Sequence, residues 1–427
     1  MQPSLHTLDR VEVRFDDHHA VADAGLILAA TLGQHLGLET AADRLVGVGF
    51  RPGRKAVTVV HAILAGADCI DDLDVLRSGS TARVLGHTVM APSTVGTWLR
   101  SFTFGHTRQL DKLTETLLSR AWAAGAGPGD DPLVIDVDST VCEVHGYAKE
   151  GAAYGHSKVL GYHPILATRA DTGEVLHARL RKGSAHTGRG ADRFVREVFS
   201  RVRRAGATGA MVLRADSGFW SNKVIDACLH HDVRYSITIR ITKGVAAAIA
   251  AIPEQAWTDI DYTTSGEAQV AETTWGEKRL IVRRTRLVGS QSTLWPDWRH
   301  HAFVTDRPEG AVFLDADHRH HAVQELAIRD LKEGAGWNHC PSGVFNANAA
   351  WLLLAGLAHN LLRWTTYLGA LADGPIVAKT IRRRYLTMPG RLTRSARRLT
   401  LHLPARWPWL DAFVLALERL RALPALA

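Results

Sequence analysis

Apolar residues recur every three to four positions in the first part of the chain, a pattern that predicts helices. The two clearest stretches are HAVADAGLILAATLGQHLGL and KAVTVVHAILAGADCIDDLDVL, both within residues 1–125. The segment AAGAGPGDDP (123–132) follows, and its small residues, glycines and prolines predict a linker. We therefore expect a mainly helical N-terminal region that ends at a domain boundary near this linker.

A third helical segment, MAPSTVGTWLRSF, is a candidate for binding DNA. Pro92 and Ser93 precede a short amphipathic stretch, which is a common way to begin a helix. The segment resembles the second helix of a helix-turn-helix unit, in which Thr94 and Arg100 would be free to face a DNA groove. Packing within the domain is the alternative for so short a helix, and the sequence leaves the two interpretations open.

The periodicity changes to that of strands after the linker. LVIDVDST, YGHSKVLGYHPILATRA and EVLHARLRKG are each predicted to be one strand. The helix ADRFVREVFSRVRRAG, the strand MVLRADS, the helix NKVIDACLHHD and the strand RYSITIR follow. Three strands, helix, strand, helix, strand is the order of the ribonuclease H fold, in which helices flank a mixed sheet. The pattern predicts an α/β fold with the first part of a ribonuclease H-like core in residues 130–241.

Residues 242–310 interrupt this alternation. VAETTWGEKRLIVRRTRLV and HHAFVTDR look like strands, so we expect a mostly β insertion here, and it contains Trp257, Trp275, Trp295 and Trp298. Helical patterns return in AVQELAIRDLKEG and in the strongly apolar ANAAWLLLAGLAHNLLRWTTYLGAL. They predict that residues 311–372 complete the core.

Positive charge is concentrated in the C-terminal region, residues 373–427. Nine Lys or Arg residues and no Asp or Glu lie between Lys379 and Arg406. Such a run repels itself unless it is solvated or laid against phosphates. The formal net charge of +8 and the pI near 9.5 also favour a polyanionic partner, and a solvated basic face is the alternative.

Length and composition set the class of protein. A chain of 427 residues exceeds one ordinary core, so we expect two or three domains. No apolar run is long enough to cross a membrane, and the start MQPSLHTLDRVEVRF lacks a signal pattern, so we expect a cytoplasmic protein. The four cysteines are scattered without a CxxC pair and predict reduced, structural thiols rather than a zinc site or disulfides.

Two aspartates share one face of the first predicted strand of the core. Alternation along LVIDVDST places Asp136 and Asp138 on one face and apolar residues on the other. Two carboxylates on a central strand are costly to bury unless a metal ion or a partner compensates their charge. The alternative is an edge strand on which both aspartates are solvated.

Two further acidic residues stand at comparable places. Asp216 ends the apolar strand MVLRADS, where α/β folds usually place chemistry, although a turn or helix N-cap is the alternative. Glu325 shares one face of a predicted helix with His321, Arg329 and Lys332, and a solvated salt-bridging face is its alternative.

These carboxylates together suit the cleavage of phosphodiesters. That reaction uses two divalent ions roughly 4 Å apart, one activating the nucleophile and one stabilising the leaving oxygen. Hard ions such as Mg²⁺ or Mn²⁺ take oxygen ligands, which Asp and Glu provide. Two strand-end aspartates and a glutamate from a later helix can supply this clamp.

The chain resembles the DDE transposases of bacterial insertion sequences, specifically the insertion-sequence 1380 group within the insertion-sequence-4-like superfamily. The resemblance covers roughly residues 130–365. It rests on IDVDST followed by VHGYAKEGAAYGHSKVLGYHPIL, on RADSGFW, and on ELAIRDLKEGAGWNHCPS.

The resemblance assigns roles to individual residues. Asp138, directly before Ser139-Thr140, matches the first metal-binding aspartate of the family, and Asp136 is then a neighbour of uncertain role. Asp216 matches the second aspartate. Glu325 and Lys332 match the glutamate and lysine of the family's Tyr-Arg-Glu-Lys signature.

This sequence departs from that signature at His318 and His321, where tyrosine and arginine are expected. In the family these positions help to hold phosphates at the DNA ends, which histidine can do as a hydrogen-bond donor. An exposed polar helix start is the alternative for both. Arg329, on the predicted face of Glu325, is expected to contact DNA as well.

The resemblance also suggests a use for the insertion. In related enzymes it helps a flanking strand to form a hairpin intermediate, with a tryptophan stacked on a flipped base. Trp275 and Trp298 are the candidates here, and ordinary core packing is the alternative for each.

The resemblance implies a cut-and-paste DNA transposase that uses two Mg²⁺ or Mn²⁺ ions per active site. It would bind the terminal inverted repeats of its element and the target DNA, as a homodimer on DNA. Two alternatives remain open on the sequence alone. One is an inactive or domesticated transposase that regulates through DNA binding, and the other is a ribonuclease H-like nuclease or resolvase without strand transfer.

Overall fold

The computed structural model describes residue 8 and residues 11–146, 148–155, 158–262, 266–287 and 298–425. Trp295 of the predicted insertion lies outside these residues. None of the helices within the described ranges has the length and apolar character needed to cross a membrane.

Helices dominate the first 126 residues and alternate with strands afterwards. The α-helices of the described residues are α1 (Ile27–His35), α2 (Leu38–Leu45), α3 (Pro52–Ala65), α4 (Thr81–Leu85), α5 (Pro92–Arg100), α6 (Phe104–Ala121), α7 (Ala191–Ala205), α8 (Asn222–His230), α9 (Lys243–Ala250), α10 (Ala311–Arg319), α11 (Val323–Gly334), α12 (Phe345–Leu368), α13 (Ala378–Ile381) and α14 (Leu410–Ala422). Short 3-10 or π-helical turns occupy Ala24–Leu26, Asp71–Arg77, Trp122–Ala126, Glu254–Ala256, His320–Ala322 and Arg382–Leu386. The helices expected from the three N-terminal segments are confirmed, and Pro92 is the first residue of α5, where its missing N–H costs nothing.

The strands belong to one large sheet and two small ones. They are β1 (Ala20–Val21), β2 (Leu133–Ser139), β3 (Cys142–Glu143), β4 (Ala153–Tyr154), β5 (Leu160–Tyr162), β6 (Ile165–Arg169), β7 (Val175–Arg179), β8 (Met211–Ala215), β9 (Val233–Ile239), β10 (Thr258–Asp259), β11 (Gly266–Trp275), β12 (Lys278–Leu287), β13 (Arg299–Thr305), β14 (Gly390–Ser395) and β15 (Arg398–His402). Strands β14 and β15 form a hairpin within the basic C-terminal region.

The large sheet is mixed. Among the described residues it has nine strands in the order β10-β11-β12-β13-β9-β8-β2-β6-β7. Strand β2 pairs parallel with β8 and antiparallel with β6, and β8 pairs parallel with β9. Strand β13 pairs antiparallel with β9, so the strands expected of the insertion extend this same sheet. The predicted α/β class with a mixed sheet is confirmed, and β2 lies inside the sheet rather than at its edge.

One strand prediction was wrong. Residues 154–170, predicted to be a single strand, contain the end of β4, then β5 and β6. Strands β4 and β5 pair with β3 in a small separate sheet, whereas β6 pairs with β2. Pro164 stands between β5 and β6 and has no N–H to donate to a ladder, and its carbonyl accepts a hydrogen bond from the Thr140 N–H.

Helix α12 is the centre of the packing. Most of its residues are buried, and it contacts α3 and α6 of the N-terminal region as well as β7 at one end of the sheet. The Asn360 side chain hydrogen-bonds both the N–H and the carbonyl of Val175, each at 2.8 Å. This side chain therefore forms hydrogen bonds with part of the outer edge of β7, which would otherwise expose unpaired backbone groups.

The four cysteines are free, as predicted. Cys142, Cys228 and Cys340 are buried, and Cys69 is half-buried.

A buried carboxylate joins α12 to the N-terminal region. Oε1 of Glu174 accepts hydrogen bonds from Nε1 of Trp122 (3.0 Å) and from Nε1 of Trp364 (2.5 Å). Burial raises the pKa of Glu174 to about 7, although the Trp364 hydrogen bond and the charge of Arg169 act against this shift.

We expect Glu174→Gln to make the stability of the fold less dependent on pH. Because the native pKa is raised, the folded state binds more protons than the unfolded state between about pH 4.3 and 7, so the contribution of Glu174 to stability falls as the pH rises through that window. The amide keeps the Oε1 acceptor and removes this titration. Melting temperatures from pH 4.5 to 8 test this, with the exposed Glu143→Gln as control. Parallel profiles for wild type and Glu174→Gln would contradict it.

Candidate active site

Two of the predicted carboxylates lie at the C-terminal ends of two neighbouring inner strands of the large sheet. Asp138 is near the end of β2, and Asp216 directly follows β8. The parallel register pairs Val137 with Ala215, so the next residue on each strand is one of these aspartates. The Ser139 N–H donates to Oδ1 of Asp138 (2.6 Å), and the Gly218 N–H donates to Oδ1 of Asp216 (3.0 Å). Both side chains are half-buried and held by the local backbone.

The third carboxylate approaches from α11. Glu325 is exposed in the first turn of this helix. Burial raises the pKa of Asp138 to about 6, and the negative charges of Asp216 and Glu325 shift it in the same direction. The Ser139 N–H and His321 act in the opposite sense. Asp138 is therefore close enough to Asp216 and to Glu325 for their charges to act on it. Among the described residues, the carboxylate oxygens of the three side chains do not all lie within 4.8 Å of one another.

The donor set fits a divalent cation. Carboxylate oxygens are the ligands that Mg²⁺ and Mn²⁺ prefer. The pKa of Asp138 is raised first by burial and then by the negative charges of Asp216 and Glu325, and a cation placed among the three side chains would offset both effects. These three residues are the ones that could hold such an ion at the end of β2 and β8.

Asp136, the other acidic residue on this face of β2, is engaged in a buried ion pair. Its carboxylate accepts two hydrogen bonds from the Arg214 guanidinium, both at 2.8 Å, and both side chains are almost fully buried. Nδ1 of His321 lies 2.8 Å from Oδ1 of Asp136, and Nε2 of Gln324 donates to the Asp136 carbonyl at 2.9 Å. Asp136 thus anchors the start of α11 to β2, and its oxygens are already occupied.

Sequence reasoning missed Arg214 and Gln324. A signal was present for Arg214, because an arginine inside an otherwise apolar strand, MVLRADS, needs a buried acidic partner. Nothing in the local sequence indicated that Gln324 is buried, since the next residue on the same helix, Glu325, is exposed.

The two histidines of the modified signature occupy different environments. His318 is buried and stacks on Phe303 with ring centroids 4.2 Å apart. Its two ring nitrogens hydrogen-bond the hydroxyls of Ser236 (2.8 Å) and Thr238 (2.9 Å), and burial holds its pKa well below the usual range. This arrangement favours packing over the predicted phosphate contact for His318. His321 is half-buried between Asp136 and solvent.

The basic residues of α11 also differ in their contacts. Lys332 donates from Nζ to the Val141 carbonyl at 2.8 Å, which ties the end of α11 to the segment that follows β2. Arg329 is exposed. The proposed DNA contacts of both remain predictions.

The two candidate tryptophans lie in the strands beyond β9. Trp275 is half-buried at the end of β11, with its ring centroid 5.8 Å from that of Trp220. Trp298 precedes β13, and its ring is covered by the guanidinium groups of Arg284 and Arg286, whose Cζ atoms lie 4.4 Å and 4.5 Å from the ring centroid. Trp275 also packs against the hydrophobic core, and base stacking by either residue stays a prediction.

Helix α5 presents the polar face expected of it. Thr94 and Arg100 are exposed, whereas Val95, Trp98 and Leu99 are buried. The surface predicted to face DNA is thus open to solvent.

Tighter groups of possible metal ligands occur elsewhere among the described residues. Asp111, His177 and Glu197 meet between α6, β7 and α7. Arg201 lies 2.5 Å from Asp111 and Arg179 bonds Glu197, so arginine already balances these carboxylates. In a second group, Asp68 is exposed and Cys69 and Asp72 are half-buried, and we assign neither group a role.

Comparison with known proteins links the chain to one family. The sequence model described as Transposase DDE domain group 1 matches residues 4–425. A search of curated protein sequences found no match. Among solved structures, the cryo-EM structure of the piggyBac transposase synaptic complex with hairpin DNA is similar, with a TM-score of 0.46 and 11% sequence identity over 85% of this chain and 79% of that chain.

Proposed function

Because the chain belongs to the DDE transposase family described as Transposase DDE domain group 1, we propose that it is a DNA transposase that excises and inserts an insertion sequence by cut and paste. The observation that carries the proposal is the placement of Asp138 and Asp216 at the ends of the paired strands β2 and β8, with Glu325 of α11 near enough for its charge to act on Asp138. The further assignment to the insertion-sequence 1380 group, and to a bacterial source, rests on the motifs quoted above.

We propose that these three carboxylates hold two Mg²⁺ or Mn²⁺ ions, which supply activation of the nucleophile and stabilisation of the leaving oxygen. Backbone N–H groups and neighbouring side chains hold these carboxylates in position. The N–H groups of Ser139 and Gly218 fix one oxygen of each aspartate. The hydrogen bonds from His321 and Gln324 to Asp136 keep the start of α11 against β2. A rigid arrangement of this kind lowers the cost of assembling the site around a scissile phosphate.

The reaction begins when water attacks a phosphodiester at the element end. The freed 3′ hydroxyl then attacks the opposite strand and closes a hairpin at the element end. A second water opens the hairpin and frees the 3′ hydroxyl again, and this hydroxyl attacks the target DNA. No covalent bond to a protein side chain is needed. We propose that Lys332, Arg329 and His321 and the basic C-terminal region fix the DNA by phosphate contacts, with α5 bound in a groove. A homodimer would bring the two inverted-repeat ends together.

We also propose a ribonuclease H-like core. Within the large sheet the order is β2, β6, β7, then α7, β8, α8 and β9, which is three strands, helix, strand, helix, strand with mixed pairing and supports this proposal. Residues 1–125 would then bind DNA, and residues 242–310 would interrupt the core between its two parts.

Asp138→Ala, Asp216→Ala and Glu325→Gln should each abolish cleavage of a donor plasmid in magnesium, because each removes a ligand of the proposed metal site. Losses of at least about 100-fold are expected, given the weight of such groups in transition-state stabilisation. Glu333→Gln, an exposed residue on the same helix, is the control.

The same gel separates this proposal from its alternatives. Normal excision by any one of the three variants would refute that residue's assignment. Cleavage by the wild type without joined products would indicate a nuclease or resolvase, and DNA binding without cleavage would indicate a regulator.

A further inference from the structure

A cavity of about 420 Å³ lies beside Asp216. One wall is the small sheet of β3, β4 and β5, and the other is the loop of residues 183–187, so we call it the 183–187 cavity. Its floor needs glycine, because a Cβ atom on Gly183 would lie 2.0 Å from the Gly161 carbonyl oxygen. The volume is within the range of about 300–1,000 Å³ found for small-molecule sites.

The carbonyl groups of Ala185, His186 and Thr187 in this loop accept hydrogen bonds from neighbouring side chains. Nδ1 of His163 donates to the Ala185 carbonyl at 2.7 Å, since a carbonyl can only accept. The Arg181 guanidinium donates to the carbonyls of His186 (3.3 Å) and Thr187 (2.8 Å). In a trans peptide the N–H points opposite to the carbonyl. The N–H groups of His186 and Thr187 therefore point away from His163 and Arg181, and among the described residues they have no hydrogen-bond acceptor.

Further donors line the same cavity. The Arg240 side chain is exposed, and within the described part of the chain its guanidinium has no ion-pair or hydrogen-bond partner. Nδ1 of His186 accepts from the Gly188 N–H at 3.1 Å, so Nε2 of a neutral ring carries the proton. The hydroxyls of Ser139 and Thr187 also line the cavity.

This set of groups matches an anion bound through its oxygens. A guanidinium, backbone N–H groups and hydroxyls are the groups that contact DNA phosphates. The lining joins these donors to Asp216 at the site where the proposed function places the cut phosphate.

We propose that the 183–187 cavity binds the backbone phosphate next to the one that is cut, with Arg240 and the N–H groups of His186 and Thr187 as its donors. The proposal rests on the proposed function for the identity of the ligand as a DNA phosphodiester. It adds a subsite that holds the end of the strand in place while the neighbouring bond is attacked.

The test uses the full chain without divalent cations, so that cleavage plays no part. Ser184, an exposed residue of the lining, is changed to cysteine and alkylated with N-ethylmaleimide, and labelling at this position is followed by peptide mass spectrometry. The thymidine dinucleotide with one internal phosphate should slow labelling, whereas thymidine should not. Ser200→Cys, on α7, is the control that the dinucleotide should leave unchanged.

A second measurement uses no cysteine. Calorimetric titration with the dinucleotide should show about tenfold weaker binding to Arg240→Gln than to wild type, because one charged hydrogen-bond donor is lost. The control is Arg234→Gln, an exposed arginine on β9, the strand that Arg240 directly follows, and it should bind as wild type does.

Three results would overturn the proposal: equal protection by thymidine, binding that Arg240→Gln leaves unchanged, or inorganic phosphate that binds as well as the dinucleotide. The last would indicate a site for the free ion. Because no step requires catalysis, phosphate binding in a chain that fails to cleave DNA would contradict the proposed function alone.

Discussion

Replacing Asp136 with alanine should lower the free energy of unfolding by about 3–5 kcal/mol, because the buried guanidinium of Arg214 loses both of its short carboxylate hydrogen bonds and, of its ion pairs, keeps only the longer one with Asp317. The side chain of Arg214 is 4% exposed and cannot turn to solvent without opening the sheet. The loss also removes the carboxylate that holds His321 at the start of α11. Urea unfolding at pH 7, followed by circular dichroism, measures the effect.

The control for this prediction lies two residues away on the same strand face. Asp138→Ala removes a carboxylate that lacks an arginine partner, so it should not destabilise the fold to a comparable degree. Combining Asp136→Leu with Arg214→Met should recover much of the loss, since apolar pairs often replace buried ion pairs at little cost. A stable Asp136→Ala protein that fails to cleave DNA would instead make Asp136 a ligand of the active site.

Asp138→Asn should abolish cleavage and at the same time stabilise the protein at pH 7 by on the order of 1–3 kcal/mol. The pKa of Asp138 is raised to about 6 in the folded state, so its ionisation at pH 7 opposes folding. The sign follows from linkage: the folded state binds more protons between about pH 4 and 6, and stability falls as the pH rises through that window. Asparagine keeps an oxygen that can accept the Ser139 N–H.

Thermal unfolding with and without Mg²⁺ separates this effect from a general change in packing. Metal that binds only the folded state should raise the melting temperature of the wild type and not that of Asp138→Asn. Asp226→Asn, on α8, serves as a control that should respond to Mg²⁺ as the wild type does. Equal shifts in all three proteins would place the ion elsewhere.

The parts of the site that are encoded locally could be predicted from the sequence. Runs of apolar residues ending in acids identified β2 and β8, and helical spacing placed Glu325 on α11. Both features depend on residues that are close along the chain.

The parts that depend on distant residues could not be predicted. Asp136 and Arg214 are 78 positions apart, and the distinction between Asp136 and Asp138 lies in which of them meets that arginine. The alternation of apolar and polar residues along β2 places both aspartates on the same face, so it does not distinguish them. The division of residues 154–170 into separate strands follows from the pairing of β5 with β3 and of β6 with β2. A short stretch of sequence does not reveal either pairing.

The continuous ladder from β11 to β2 has a mechanical consequence. Five strand spacings separate the two, which at about 4.8 Å each amounts to roughly 24 Å across the sheet. Hydrogen bonds between neighbouring strands fix this distance, so Trp275 and Asp138 belong to one rigid sheet. Under the proposed function, DNA that contacts both residues would have to adapt its path to this fixed distance.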